Sequence, residues 1–395
     1  MEETKRRVYL DSAASTYVNR EVLAEMMPVF NSVYGNPASI HSIGREAQNL
    51  LDTARERVAR GINAEPSEIY FTSGGTEANN WAILGFAHAN QNKGKHIITS
   101  KIEHESILSA CKQLEKEGFE VTYLGCDENG IVSLSQLMGA IRPDTILVSI
   151  MVANNEVGTI QNLNAIARTV KERDIIFHCD AVQALGSFPL DVKSMPIDSM
   201  SISSHKIYGP KGIGALYVKK GTRIDNLILG GKQENGKRGG TVNVPGAVGF
   251  GKAVELATRD VTTSAHKLKV VRDYFVKSVQ EKIENVTLNG HQYQRLSNIA
   301  NLCFECVDNE SLLMMLDLEG ICCSIGSACS AGSVEPSYVL KAMGKTPEQI
   351  KSSIRFSIAK NTTKDDIDYV VEKLANIVKK LREISPLRKT TKEAK

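Results

Sequence analysis

Helices packed on a mostly parallel β-sheet, with a smaller α+β unit following, is the architecture this 395-residue chain predicts. Three observations predict it. From about residue 20 to residue 260, helical patterns alternate with short apolar runs. Past about residue 260 that alternation gives way to a long charged helix and a mixed set of strands and helices. The length itself suits two domains, or one large α/β domain carrying a smaller one. Composition agrees, since 42% hydrophobic and 24% charged residues are enough for a large core beneath an ordinary solvated surface.

In chain order, a hydrophilic start, Met1 to Arg7, runs straight into the strand-like Val8-Tyr9-Leu10. No apolar h-region or cleavage site follows, so secretion is not expected. Helical periodicity marks Ser42 to Arg60, Thr76 to Ala89, Ser106 to Glu117 and Leu163 to Glu172. Strand-like runs fall between them at Ile69 to Phe71, His96 to Thr99, Val121 to Leu124, Thr145 to Met151, Ile175 to His178 and Gly214 to Val218. The second unit opens with a charged helix, Ala265 to Glu284, before the strand Ile299 to Cys306. The helix Asn309 to Glu319, the run Ile321 to Ser324, the strand Ile354 to Ile358 and a last helix, Lys364 to Ile384, complete it. Pro386 to Lys395 reads as a basic, frayed tail with a partner-docking role left open.

Forty-eight basic against 45 acidic residues leave a net charge of +3, which gives no electrostatic reason to expect nucleic acid or a membrane surface as partner. No apolar run is long enough to span a bilayer. A small-molecule substrate is the default. Eight scattered cysteines in so long a chain suit a reducing cytoplasm better than a disulfide framework. Cys303 and Cys306 form a C-x-x-C, but on a strand such residues face opposite ways and do not share an ion. Packing is the expectation for them and for Cys322 and Cys323.

Three segments carry chemistry. Ser73-Gly74-Gly75-Thr76 follows a strand and opens a helix, where glycines admit an anion to free N–H groups and the positive dipole end. Such turns are common, so the motif is a phosphate-cradle candidate only. Asp180 stands at the C-terminal end of an apolar strand, where open α/β sheets bind ligands. It suits pairing with a protonated ring nitrogen, with Gln183 a helical turn on reaching a ring hydroxyl; capping of a following helix is the plain alternative. Third, Lys206 lies in Ser203-Ser204-His205-Lys206, on a turn fixed by Gly209 and Pro210. A Schiff-base lysine needs such a constrained turn, beside groups that hold a phosphate and lower the amine pKa.

Taken in this order, phosphate turn, strand-end Asp, then Lys, the segments resemble a pyridoxal 5'-phosphate (PLP) enzyme of fold type I in the class V aminotransferase superfamily. More narrowly, the chain resembles the NifS/IscS-type cysteine desulfurases. The match runs from Tyr9-Leu10-Asp11-Ser12-Ala13-Ala14 through Tyr34 to His41 and on to Ser352 to Ser357. The resemblance implies a seven-stranded, mostly parallel sheet sandwiched by helices. It also implies a PLP-binding domain over residues 14–260 and a small domain over 1–13 and 261–385. Lys206 would bind PLP covalently, Asp180 would pair with the ring nitrogen, Gln183 would bond the ring oxygen, and His104 would stack on the ring and assist proton transfer. Gly75, Thr76, Ser203 and His205 would hold the phosphate, joined by Thr241 from the partner subunit of a homodimer. Asn155, beside the cofactor, and Arg355 would hold the substrate carboxylate, a task that suits the planar guanidinium fork.

What separates a desulfurase from its aminotransferase relatives is Ser324 to Ser333, in which Cys329 sits among small residues that read as a mobile, exposed loop. Its length resembles the group I branch. Ser330-Ala331-Gly332 and Arg238-Gly239-Gly240-Thr241 depart slightly from the family's commoner wording and remove no functional group. The resemblance implies that L-cysteine is converted to L-alanine while Cys329 takes the sulfur as a persulfide. Delivery to an acceptor, such as an Fe–S scaffold protein, would follow, with Cys329 also a candidate for transient cluster ligation and no resident metal implied. Selenocysteine lyase and class V aminotransferase are the rival enzyme readings; a non-catalytic sulfur-trafficking scaffold is disfavoured by the presence of Lys206.

Overall fold

The computed structural model describes residues 6–326 and 336–385, so Cys329 and the basic tail lie outside the described residues. In chain order the elements are β1 (Val8–Tyr9), α1 (Arg20–Asn31), α2 (Ser42–Gly61), β2 (Ile69–Thr72), α3 (Gly75–Asn90), β3 (His96–Ser100), α4 (Glu105–Lys116) and β4 (Glu120–Leu124). Then come α5 (Leu134–Ala140), β5 (Thr145–Ser149), α6 (Leu163–Lys171), β6 (Ile176–Asp180), β7 (Ser199–Ser203), β8 (Gly214–Val218), α7 (Val244–Arg259) and α8 (Val261–Lys282). The chain finishes with β9 (Val286–Asn289), β10 (Ile299–Phe304), α9 (Asn309–Leu318), β11 (Ile321–Cys322), α10 (Tyr338–Ala342), α11 (Pro347–Lys351), β12 (Ser353–Ser357) and α12 (Lys364–Ile384).

Seven strands form the central sheet in the order β2-β8-β7-β6-β5-β3-β4. β8 runs antiparallel to both its neighbours, while the pairs from β7 through β4 are parallel. β2 therefore points the same way as β7, and six of the seven strands end on one edge. Both faces are covered, because successive residues of a strand enter different layers. Ile97 and Leu147 pack with Trp81, Phe86 and Ile107 of α3 and α4. Ile98 and Val148 pack on the other side with Val58, Ile166 and Phe250 of α2, α6 and α7. The mostly parallel, helix-sandwiched sheet expected from the sequence is present.

A separate core joins Val8 and Leu10 to α8, β10, α9, β12 and α12. Its centre is Phe356, whose ring meets Phe275 edge-on at 5.0 Å and Phe304 at 6.5 Å. β12, β10 and β9 form an antiparallel sheet there, and β1 pairs in parallel with β11. No described helix is long and apolar enough to cross a membrane.

Three local readings change. β10 ends at Phe304 and Cys306 sits in a turn at φ +62°, so the strand argument about the C-x-x-C pair holds for Cys303 alone. Residues 181–187 form successive turns rather than a helix, so Gln183 is placed by a tight reversal, with Ala184 N–H and Leu185 N–H both donating to Ala181 O. α7 was not evident because its glycines weaken helical propensity. One of them is required by packing, since a β-carbon on Gly251 would lie 2.8 Å from Ala54 Cα of α2.

Candidate active site

Parallel strands bring sequence-distant residues to one edge. At the ends of β2, β3, β5, β6 and β7 stand, in turn, the Gly74–Gly75 turn, His104, Asn155, Asp180 and Ser203. This is the carboxyl edge at which open α/β sheets place ligands.

Asp180 is buried and held on both oxygens. Val182 N–H donates to Oδ1 at 2.9 Å and Asn79 Nδ2 donates to Oδ2 at 2.7 Å. The same Asn79 amide nitrogen donates to Ser106 Oγ at 2.9 Å, and Ser106 Oγ lies 2.8 Å from His104 Nδ1. Ser106 N–H also donates to His104 Nδ1, at 3.2 Å, so this histidine is the N-cap of α4. A ring nitrogen that accepts from a backbone N–H carries no proton, so neutral His104 holds its proton on Nε2. Asp180 and His104 are thus joined through Asn79 and Ser106.

Lys206 ends a short 3-10 turn, Ser204–Lys206, directly after β7. Two residues on, Tyr208 is held at φ +66°, a strained backbone for a bulky residue. Thr16 Oγ1 accepts from its N–H at 2.9 Å, and its hydroxyl accepts from Lys360 N–H at 2.8 Å. Lys206 Nζ donates to the carbonyls of Ala13 at 2.6 Å and Ala14 at 2.8 Å. Gln183 Nε2 donates to the same Ala13 carbonyl at 2.9 Å, so these two side chains converge on one atom. His205 Nδ1 is 3.3 Å from Ser15 Oγ. Burial, reinforced by the Lys206 and Lys211 charges, pushes the His205 pKa down to about 4, which keeps its ring neutral at pH 7.

The glycine turn opens α3 with Gly74 at φ +154°. β8 begins beside it, and a β-carbon on Gly214 would sit 2.8 Å from Gly74 Cα, so the backbones touch. Ser73 N–H donates to Glu77 Oε2 at 2.8 Å, and Arg238 Nε donates to Glu77 Oε1 at 3.0 Å. Thr76 is exposed at the mouth of the turn, and Ser203, at the end of β7, is buried.

Arg355 comes from the second core. The residue is 1% exposed, its guanidinium donating to Asp11 Oδ1 at 2.8 Å and to the Asn155 carbonyl at 3.1 Å. Arg355 and Asn155 are thereby neighbours, although 200 residues separate them in sequence.

The structure thus draws together Asp180, His104, Lys206, Gln183, His205, Asn155 and Arg355, and sets Gly75, Thr76 and Ser203 on the same edge. Thr241 is exposed and makes no hydrogen bond to these residues among the described ones. Sequence reasoning passed over Asn79 and Ser106, which link Asp180 to His104, and Asp11, which pairs with Arg355. It also passed over the carbonyls of Ala13 and Ala14. The alternation Ser199-Met200-Ser201-Ile202-Ser203 was a readable strand signal for β7.

Residues 8–370 match the family described as aminotransferase class-V, so the chain belongs to that family of PLP-dependent enzymes. Within it, the chain is 50% identical over 388 residues to the cysteine desulfurase IscS of Dictyoglomus turgidum, covering 98% of both chains. It is 51% identical over 382 residues to that of Methanosarcina thermophila, covering 97% of this chain and 94% of the other. A solved NifS-like protein superposes with a TM-score of 0.90 at 37% identity, over 95% of this chain and all of the other. A structure titled SspA in complex with cysteine superposes with a TM-score of 0.80 at 39% identity, over 91% of this chain.

The residues present fit PLP. Ser203 Oγ, Asn155 Oδ1 and Arg355 Nε are buried polar atoms without a hydrogen-bond partner among the described residues. Buried polar groups are seldom left so unless a ligand or water completes them. These three residues are among those expected to meet the phosphate, the ring and the substrate carboxylate.

Proposed function

We propose that the protein is a PLP-dependent cysteine desulfurase that transfers the sulfur of L-cysteine to Cys329 and releases L-alanine. One observation carries the reading: an amine, an amide and an imidazole–carboxylate chain, from Lys206, Gln183 and His104 to Asp180, surround one strand edge. Relatives 50% and 51% identical that bear the desulfurase name support it. Lys206 holds PLP, Asp180 its ring nitrogen and Gln183 its ring oxygen, while Gly75, Thr76, Ser203 and His205 hold the phosphate. When bound, PLP supplies the electron sink for the pair released at the substrate α-carbon.

The chain's own residues do the rest. Arg355 and Asn155 fix the substrate carboxylate, with Asp11 holding the guanidinium plane. Lys206 Nζ moves the α-proton, and His104, protonated on Nε2, serves the thiol proton. The Cys329 thiolate attacks the substrate sulfur, and the carbon–sulfur bond breaks as the sulfur–sulfur bond forms. The electron pair stays with the β-carbon, which takes a proton to become the methyl group of alanine. Sulfur is thus oxidised to the persulfide level as carbon is reduced, and no outside oxidant is needed. The persulfide passes to an acceptor protein for Fe–S or other thio-cofactor synthesis in the cytoplasm. The working unit is a homodimer in which exposed Thr241 reaches the partner's phosphate site. Residues 14–260 act as the cofactor domain, and 1–13 with 261–385 as the domain that presents Cys329.

Visible absorbance of the lysine-bound cofactor, together with alanine and sulfide formed from L-cysteine and a reductant, tests this. Lys206→Ala should lose all three signals, and Cys329→Ser should keep the absorbance while losing sulfide. Sulfide release at the wild-type rate by Cys329→Ser would sink the mechanism.

A further inference from the structure

Glu156 is not exposed at all, yet it is a carboxylate with only one hydrogen-bonded oxygen among the described residues. Burying a carboxyl group in this way, which pushes its pKa up, is costly unless its placement does something. Its backbone is rigid: Glu156 N–H and Val157 N–H donate to Asn154 Oδ1 at 2.9 and 3.0 Å, and Asn154 Nδ2 donates to Ile102 O at 3.0 Å. The side chain touches two segments far away in sequence. Ser337 Oγ donates to Oε2 at 2.5 Å. On the other side, Gly326 lies so close that a β-carbon there would be 3.0 Å from the same oxygen, and its φ is +149°.

Those two residues flank Cys329. Each is also tied to the site. Ahead of Gly326, Ser324 and Arg355 exchange backbone hydrogen bonds of 3.1 and 2.7 Å. Beyond it, Ser337 caps α10 by accepting from Leu340 N–H at 3.1 Å, and Tyr338 donates its hydroxyl to the Glu103 carbonyl at 2.7 Å, next to His104. One carboxylate oxygen therefore meets both ends at a point set by the residue after Asn155.

We propose that Glu156 is a positioning residue for sulfur transfer, its carboxylate clasping the two chain ends at Gly326 and Ser337 between which Cys329 is carried. The inference rests on the reading of Cys329 as the sulfur carrier. Fixing both ends of a segment raises the effective concentration of a group borne between them, and so acts on the transfer step rather than on substrate affinity. A neutral acceptor in place of the carboxylate keeps the clasp, because Ser337 is the donor.

The test uses the full-length, PLP-loaded protein. Single-turnover alanine formation, KM for L-cysteine and the rate of Cys329 alkylation by iodoacetamide, followed on its own peptide by mass spectrometry, are the readouts. Glu156→Ala and Ser337→Ala should each slow alanine formation about tenfold, as expected for a buried hydrogen bond lost at the transfer step. KM should stay within about twofold, and Cys329 alkylation should change by about threefold or more in both. The double variant should be no slower than the slower single one, and Glu156→Gln should recover most of the rate. Unchanged transfer in Ser337→Ala, additive losses, or a raised KM with transfer intact would each overturn the proposal. If Glu156→Ala does not retain cofactor absorbance, Ser337→Ala and Glu156→Gln decide. Wild-type sulfide release by Cys329→Ser would instead overturn the carrier reading, whatever Glu156 does.

Discussion

Replacing Asn79 by alanine should cost both stability and cofactor affinity. The side chain is 1% exposed, and its Nδ2 donates to Asp180 Oδ2 at 2.7 Å and to Ser106 Oγ at 2.9 Å. A hydrogen bond to a carboxylate is worth about 1.5–3 kcal/mol and a neutral one about 1 kcal/mol. Against this, Asn79 Oδ1 is buried with no partner among the described residues, and removing it recovers part of its desolvation. The net loss should be about 2–3 kcal/mol, since an alanine at this position also leaves only a small void. Urea unfolding of the cofactor-free protein reads that loss. Trp81, the only tryptophan of the chain, lies two residues along the same helix, buried, with Nε1 bonded to Asp225 O, and reports directly on α3. PLP affinity, titrated by visible absorbance, should fall about tenfold as Asp180 loses its fixed orientation. A loss of stability below about 0.5 kcal/mol with unchanged PLP affinity would show that the Asp180–His104 chain does not need Asn79.

Two other outcomes follow from the same geometry. Arg355→Lys cannot keep Asp11, the Asn155 carbonyl and a substrate carboxylate together, so KM for L-cysteine should rise about 10- to 100-fold with a smaller change in kcat; equal falls in kcat and kcat/KM would contradict this role. Burial lifts the Glu103 carboxyl from 4.5 to about 8, so the native protein holds a proton that the unfolded chain releases, and stability should fall as pH rises through that window. Glu103→Gln should therefore gain on the wild type between about pH 5 and pH 8 and level off above, as read from urea midpoints; parallel curves would refute it.

Side chains proposed to act by their own chemistry were legible in the sequence, because type and neighbours constrain them together. Lys206 sits among serine, histidine, glycine and proline; Asp180 closes an apolar strand; the glycine turn separates a strand from a helix. The sheet was legible for the same reason, since its apolar strands repeat with helices between them. β7 escaped because its core-facing serines look polar, although Ser201 Oγ lies 2.9 Å from His178 Nε2 and Ser199 Oγ donates to Tyr217 O inside the sheet. Asn79 escaped because one asparagine in a helix gives no sign of which residue it will face.

The segment from Asp11 to Thr16 shows why positioning groups are the harder part. Its carboxylate meets Arg355, its alanine carbonyls meet Lys206 and Gln183, and Ser15 and Thr16 meet His205. Two of these groups are backbone oxygens, which any residue could supply, so composition at those positions carries no signal. Their role depends on β1 pairing with β11 while the chain then crosses to the edge where β6 and β7 end. A parallel sheet makes such convergence possible by aligning strand ends far apart in sequence. Residues proposed to touch the substrate carry their signal in their own chemistry and can be read one at a time. Residues that hold them, such as Asn79 against Asp180 and Asp11 against Arg355, come into contact with them only once the topology has set two distant segments against each other.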